Sequence, residues 1–288
     1  MRAAATVTFF HHAGLMVAVE DTLMVFDYWR GENGEINGEN QLTERDLEGY
    51  KQIIVFVSND DADHFDPVVL EMDDKKFPIQ YVFASDMNRY PAMQKDGLFL
   101  AEGDEADVGA CHIQAYPSTH KGVSFYVTGH GLNIFHAGTL NMWHWRDEST
   151  LREIIRAEED FYAAVAPITR LPMDIAMFPV DPRMGGMYEA GANHFVMAVK
   201  PRLFIPMHFQ NRPEVATAFA RQGRTNYTEI LAMTRPRQRA ELTFEDATLR
   251  IHVFTLKEMQ QEKDNRDVKL DSYNKDDPFS DTDLPVTL

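Results

Sequence analysis

Short apolar or alternating runs, separated by turn-forming residues, recur along most of the chain and predict β-strands. The first three runs are close enough together to form a meander, whereas the fourth is continuously apolar, as is typical of a strand buried on both faces. The predicted strands cover residues 6–10, 15–19, 22–26, 53–57, 81–83, 111–116, 123–128, 133–136, 174–179, 203–207 and 248–254.

Helical spacing of apolar residues alternates with these strands in the second half of the chain. Residues 149–165 have the clearest helical period, and Thr150 and Glu153 have the spacing of a capping box. Shorter helices are predicted over residues 43–49, 191–199 and 213–221, and one near Pro67. Strands mixed with helices favour one α/β domain over residues 1–256. Residues 257–288 are rich in acidic side chains, lack a helical or strand period, and are predicted to form an acidic tail.

Composition narrows the classes of partner. The 288 residues include 28 Lys and Arg against 45 Asp and Glu, a net charge of −17, which disfavours binding to nucleic acid or to anionic lipid. No apolar stretch reaches the roughly 18 residues of a membrane span. The single cysteine, Cys111, excludes an internal disulfide and favours a reducing, cytoplasmic location. A small-molecule substrate or ligand is the expected partner, and the formation of a homo-oligomer is left open by the sequence.

Polar loops that follow predicted strands carry side chains able to bind metal. One loop holds Asp61, Asp63 and His64 within four residues, and His120 and His208 each follow another strand. A lone histidine at a strand end is more often structural, but several converging imidazoles and carboxylates can hold an ion. These residues therefore predict either a metal site or a hydrogen-bonded polar network.

The order of these loops resembles the metallo-β-lactamase fold superfamily, and within it the branch of lactonase-like and N-acyl-phospholipid phosphodiesterase-like hydrolases. The resemblance implies an αββα sandwich, in which two mixed β-sheets pack together with helices outside. It covers roughly residues 4–210 and is carried by the segments His12-Ala13-Gly14, Val25-Phe26-Asp27, Ser58 to His64, Tyr116 to His120, Ile134 to Thr139, and Pro206-Met207-His208.

The metal-binding pattern implied by the resemblance is altered in this chain. Asn59 and Asp61 stand where the family has two histidines, and Thr139 stands where it has a bridging aspartate. The resemblance implies that the remaining ligands are Asp63, His64, His120 and His208, with Asp61 as a carboxylate substitute. Asn59, His136, Thr139 and Asp181 are assigned to the surroundings of the metal or to substrate.

Two dications close together need bridging anionic ligands to offset their repulsion, so the altered pattern favours one divalent ion and makes a second doubtful. Zinc, manganese or iron suits Asp63, His64 and His208. A site without metal, in which these groups bond one another, stays open. Trp143 and Trp145 are candidates for the wall of an active-site mouth or for plain packing.

The function favoured by this pattern is a metal-dependent hydrolase acting on a small ester, lactone, amide or phosphodiester through an activated water. Asp63 is then both ligand and general base. The alternative is a catalytically degenerate protein that binds a ligand or a partner, motivated by Asn59, Asp61 and Thr139. A redox enzyme with a mononuclear or di-iron site is a third hypothesis.

Overall fold

Two β-sheets form the centre of the structure, a computed structural model that describes residues 2–32, 34–72, 76–89, 97–145, 148–262 and 264. The strands are β1 (Arg2–His11), β2 (Gly14–Val19), β3 (Thr22–Phe26), β4 (Gln52–Val57), β5 (Ile79–Ala84), β6 (Gly97–Leu100), β7 (Glu105–Val108), β8 (Cys111–Pro117), β9 (Val123–Gly129), β10 (Leu132–His136), β11 (Ile175–Pro179), β12 (Leu203–Met207), β13 (Glu229–Ile230), β14 (Arg239–Glu245) and β15 (Thr248–Val253).

Both sheets are mixed. The first has the strand order β15-β14-β1-β2-β3-β4-β5-β6, and the second has the order β13-β12-β11-β10-β9-β8-β7. Strands β1 to β3 pair antiparallel, and β3 to β6 pair parallel. In the second sheet β7 to β10 pair antiparallel, and β10 to β13 pair parallel.

Aromatic side chains join the two sheets face to face. Phe56 on β4 contacts Phe125 on β9 with ring centroids 5.2 Å apart, and Phe26 on β3 stacks on His136 of β10 at 5.1 Å. All four rings are completely buried. The continuous apolar character of the central strands follows from this arrangement, since each is covered on both faces.

Helices cover the outer faces of the sheets. The α-helices are α1 (Glu44–Leu47), α2 (Leu151–Val165), α3 (Ala190–Val199) and α4 (Pro213–Gln222). Phe161 of α2, Phe195 of α3 and Phe219 of α4 each contact an aromatic residue of β11 or β12. Leu47 of α1 is completely buried. The predicted αββα sandwich is confirmed.

The capping box at Thr150 is also confirmed, because the Thr150 side chain accepts from the amide of Glu153 and the Glu153 carboxylate accepts from Thr150. Strand β14 was not predicted. Alternate residues of β14, namely Ala240, Leu242 and Phe244, are buried. The strand pairs antiparallel with β1, which lies near the other end of the sequence.

The chain divides into two units, Met1–Ile251 and His252–Leu288. Residues 256–262 are helical, so a short helix lies at the start of the segment that was predicted to be an acidic tail. Thr255 and Glu258 form a capping box that begins this helix, with Thr255 N donating to Glu258 Oε2 at 2.7 Å. Most of the predicted acidic tail lies outside the described residues. Among the described residues no helix has the length and apolarity to cross a membrane.

Candidate metal centre

Five strands end at the same edge of the sandwich, and each is followed by a polar side chain. His12 follows β1, Asp27 follows β3, and the segment from Ser58 to His64 follows β4. From the second sheet, Asp181 comes two residues after β11 and His208 comes directly after β12. The carboxyl ends of parallel strands concentrate polar loops in this way, since the rigid sheet fixes where each loop starts.

Four of these residues form a compact cluster, which we call the His/Asp cluster: His12, Asp63, His64 and His208. One ligand atom from each lies within 4.8 Å of the others. The Nε2 atoms of His64 and His208 are 3.0 Å apart, and His12 Nε2 lies 3.2 Å from Asp63 Oδ2. The three imidazoles are buried, whereas the Asp63 side chain is 29% exposed and is the open side of the cluster.

Buried carboxylates fix the orientation of two of the imidazoles. His64 Nδ1 donates to Asp27 Oδ2 at 2.7 Å, and His208 Nδ1 donates to Asp181 Oδ2 at 2.8 Å. An ionised carboxylate only accepts hydrogen bonds, so both Nδ1 atoms carry a proton, and in the neutral imidazoles both Nε2 lone pairs point into the cluster. Two lone pairs 3.0 Å apart repel unless a proton or a cation lies between them. The cluster is therefore built to receive a positive charge.

The pKa values of the surrounding groups agree with this arrangement. Burial alone would raise the pKa of Asp27, but His136, His64 and Ser58 outweigh it and hold that pKa below its usual value. Burial would likewise raise the pKa of Asp63, yet its contacts with His12 hold it far below the usual range. Burial lowers the pKa of His208. The carboxylates are thus ionised at neutral pH, and neutral imidazole, the form that binds metal, is favoured at His208.

His12 was not predicted as a ligand. It is 1% exposed, and its Nε2 lies 3.2 Å from Asp63 Oδ2 without hydrogen-bond geometry, so neither ring nitrogen makes a hydrogen bond to the described residues. Burial and the neighbouring His208 hold its pKa well below the usual value. A buried imidazole left without hydrogen bonds is costly unless another group satisfies it, and a metal ion would do so.

A backbone signal accompanies His12. His12, Asp27 and His208 all have positive φ, at 52°, 41° and 65°, a conformation that non-glycine residues adopt rarely. Such strain often marks functional sites. The sequence carries no sign of it, but the position of His12 directly after the first strand matches that of His208 after β12 and could have placed it in the candidate set.

Asp61 and His120 lie outside the His/Asp cluster. His120 is 56% exposed, and its Nε2 is 3.4 Å from Asp61 Oδ2. The ammonium of Lys121 contacts Asp61 Oδ1 at 2.5 Å and Asp60 Oδ1 at 3.4 Å. A lysine therefore already neutralises the carboxylates on this side of the site.

The remaining predicted residues are held by hydrogen bonds within the protein. Asn59 Oδ1 accepts from the amide of Asp61 at 2.9 Å, and Thr139 Oγ1 donates to the carbonyl of Lys121 at 2.9 Å. His136 Nε2 donates to the carbonyl of Ala13 at 3.0 Å. These three side chains shape the loops around the His/Asp cluster and contribute no atom to it.

The donor set fits a transition-metal ion. Three imidazoles and one carboxylate match the ligands that zinc, iron and manganese take in proteins. Two of the imidazoles have the carboxylate partners that usually orient metal-binding histidines.

No model of a known protein family and no curated protein matches this sequence. Solved structures do match. YhfI from Bacillus subtilis, described as a metallo-β-lactamase fold protein, aligns over 83% of this chain and 99% of its own with a TM-score of 0.51 and 11% identity. The chain has the metallo-β-lactamase fold.

Two other proteins of similar structure show how varied proteins of this shape are. Igni18, a metallo hydrolase from Ignicoccus hospitalis, aligns over 84% of this chain and 99% of its own with a TM-score of 0.61 and 17% identity. CmlA from Streptomyces venezuelae, a diiron β-hydroxylase, aligns over 84% of this chain and 54% of its own with a TM-score of 0.54 and 11% identity. At these identities the likeness establishes the fold, and the chemistry has to be argued from the site.

Proposed function

We propose that this protein is a metal-dependent hydrolase that acts on a small ester, lactone, amide or phosphodiester. The observation that carries the proposal is the His/Asp cluster, in which the oriented imidazoles of His64 and His208 and the imidazole of His12, which makes no hydrogen bond, converge beside an ionised carboxylate. A divalent ion held by such a set acts as a Lewis acid and makes water a competent nucleophile near neutral pH.

Each residue of the cluster has a distinct part. His12, His64 and His208 would hold the ion, because their imidazoles are buried and face one another. Asp63 is the most exposed member and is ionised, so it can accept a proton from an incoming water as general base as well as bind the ion. Asp27 and Asp181 position His64 and His208.

The cluster favours one ion. A second ion would need further anionic ligands close by, but Asp61 and Asp60 are already paired with the ammonium of Lys121. Thr139 offers only a neutral hydroxyl, and that hydroxyl bonds to the backbone of Lys121. We therefore propose a mononuclear site.

The second candidate is a degenerate, ligand-binding protein of the same fold. It is favoured by the way Asn59, Asp61 and Thr139 are occupied by contacts within the protein rather than left open. Such a protein would bind a small molecule at the same edge of the sandwich without hydrolysing it.

Hydrolysis assays separate the two candidates. The full chain loaded with zinc, manganese or iron is tested on p-nitrophenyl acetate, a γ-lactone and bis(p-nitrophenyl) phosphate, beside Asp63→Asn and Asp174→Asn. Asp174 is a buried aspartate on the opposite end of the sandwich, bonded to Asn133 and Arg202, and serves as the matched control. We expect hydrolysis of one substrate class, lost in Asp63→Asn and kept in Asp174→Asn. Equal rates in Asp63→Asn and the wild type would contradict the assigned role.

A further inference from the structure

Two of the three tryptophans of the chain lie beside histidines of the His/Asp cluster, and the third stacks on one of them. The ring of Trp29 is 5.8 Å from the ring of His12, and the ring of Trp143 is 5.7 Å from that of His208. Trp145 stacks on Trp143 at 6.4 Å and is 42% exposed. Tryptophans spread at random through a core would not meet at one site.

Hydrogen bonding fixes the ring of Trp143. Its Nε1 donates to the carbonyl of Thr139 at 2.6 Å, which holds the indole beside His208 while part of its surface stays open. A rigid, partly exposed indole is a good packing surface for a flat apolar group. The tryptophans therefore supply apolar walls next to the proposed metal ion.

A fixed cation, the guanidinium of Arg183, lies beside Nδ1 of His208. Arg183 Nε and Nη2 donate to Asp181 Oδ2 at 2.9 and 2.6 Å, and Nη2 lies 3.4 Å from His208 Nδ1. The side chain is nevertheless 51% exposed, and its Nη1 has no hydrogen-bond partner among the described residues. The guanidinium is thus held in place by one edge and leaves donors free on the other.

Such an edge suits an anion. A guanidinium that is already oriented loses little freedom when it binds a carboxylate or phosphate, and its charge strengthens the hydrogen bond. In a chain of net charge −17, a fixed cation beside the candidate metal centre also sets the sign of the molecule that can approach.

We propose that the site takes a small anionic substrate, whose carboxylate or phosphate binds Arg183 and whose flat apolar part packs on Trp143 or Trp29. This inference rests on the proposed hydrolase, since it names the substrate class of that site. Arg183 and the tryptophans are specificity-determining residues in this arrangement, and the His/Asp cluster performs the chemistry.

Binding of small probes tests the proposal. Calorimetry on the zinc-loaded full chain compares phenylphosphonate, methylphosphonate, phenylacetate and neutral phenylacetamide. We expect at least one of the two phenyl anions to bind about tenfold or more tightly than phenylacetamide, because the charged hydrogen bond to Arg183 is lost in the amide. Phenylphosphonate should bind several-fold more tightly than methylphosphonate, because its phenyl ring packs on the indole surface. If phenylphosphonate binds more tightly than phenylacetate, the substrate carries a phosphate; the reverse order indicates a carboxylate.

Two variants locate the binding. Arg183→Gln should lower the affinity for the phenyl anion by about tenfold or more, whereas Arg202→Gln should leave that affinity unchanged. Arg202 is the matched control, because it pairs with Asp174 at the opposite end of β12 from His208. Trp143→Ala should reduce the affinity for phenylphosphonate to that for methylphosphonate.

The metal content of each variant is measured in parallel. If Arg183→Gln loses metal, Arg183→Lys replaces it in the comparison, because lysine keeps the positive charge but lacks the paired donors of the guanidinium. Equal binding of phenylacetamide and the anions, or equal effects of Arg183→Gln and Arg202→Gln, would overturn the proposal. The same titrations on the metal-free chain keep the two proposals apart. A chain that takes up no metal but binds the phenyl anion through Arg183 refutes the hydrolase and leaves the anion site standing.

Discussion

The carboxylate of Asp27 controls which nitrogen of His64 carries the proton, and the substitution Asp27→Asn tests that control. Asp27 is completely buried and accepts from Ser58 N at 2.7 Å, from Ser58 Oγ at 2.5 Å and from His64 Nδ1 at 2.7 Å. An asparagine can keep the bond from the Ser58 amide through its oxygen. Its NH₂ group then faces His64 Nδ1, which must give up its proton to accept, so the proton moves to Nε2 and points into the cluster.

The loss of metal affinity caused by a proton on His64 Nε2 can be estimated. Losing a carboxylate that orients a metal-binding histidine lowers metal affinity by about 10–100-fold, or about 1.4–2.8 kcal/mol. The loss of a charged hydrogen bond should also lower the free energy of unfolding of the metal-free protein by about 1.5–3 kcal/mol. Cobalt titration followed by tryptophan fluorescence measures the affinity, because Trp29 and Trp143 lie beside histidines of the cluster, and urea unfolding measures the stability.

Asp174→Asn is the control for this prediction. Asp174 is also buried and accepts from Asn133 N and Nδ2 at 2.9 Å and from Arg202 at 3.2 Å, but it touches no histidine. We expect it to lose stability while its cobalt affinity stays that of the wild type. If Asp27→Asn also bound cobalt with wild-type affinity, the position of the proton on His64 would not depend on Asp27 and the reasoning would be refuted.

Three further changes test other parts of the structure. Lys121→Met removes the ammonium that contacts the carboxylates of Asp60 and Asp61, so we expect the metal bound in excess zinc to rise above one equivalent; an unchanged stoichiometry by elemental analysis would contradict the role of Lys121. Gly122→Ala places a Cβ 1.8 Å from the Ser58 carbonyl oxygen at a φ of +62°, and should lower the free energy of urea unfolding by about 2 kcal/mol or more. Thr150→Ala removes the cap of α2 and should cost about 1 kcal/mol in the same assay, and no loss would mean that the capping box is not formed in solution.

Most of the fold could be predicted from the sequence because the central strands are buried on both faces and read as continuous apolar runs. Strands such as Ile53 to Val57 carry that signal without help from distant residues. Strand β14 does not, since its pairing with β1 joins opposite ends of the chain. The helix that begins after Thr255 was missed because its apolar residues are sparse, although its capping box is present in the sequence.

The candidate site was predictable in part. Asp63, His64 and His208 follow strands in the order that the resemblance requires, and the structure places them together. The membership of His12 depends on two sheets meeting at one edge, which no local pattern encodes. The contact of Lys121 with Asp61 likewise depends on a loop of the second sheet reaching a loop of the first. Local patterns specify elements, whereas the site is set by how the sheets pack.

The metal content of the purified chain tests the central claim most directly. Untagged protein, prepared without chelator, is analysed for zinc, manganese and iron beside the double variant His64→Ala/His208→Ala. A second double variant, His112→Ala/His252→Ala, removes two exposed histidines and is the matched control.

We predict about one equivalent of metal in the wild type and in the control, and only traces in His64→Ala/His208→Ala. A wild-type chain that stays free of metal after incubation with excess zinc, manganese and iron would contradict a metal centre. So would equal metal content in both double variants.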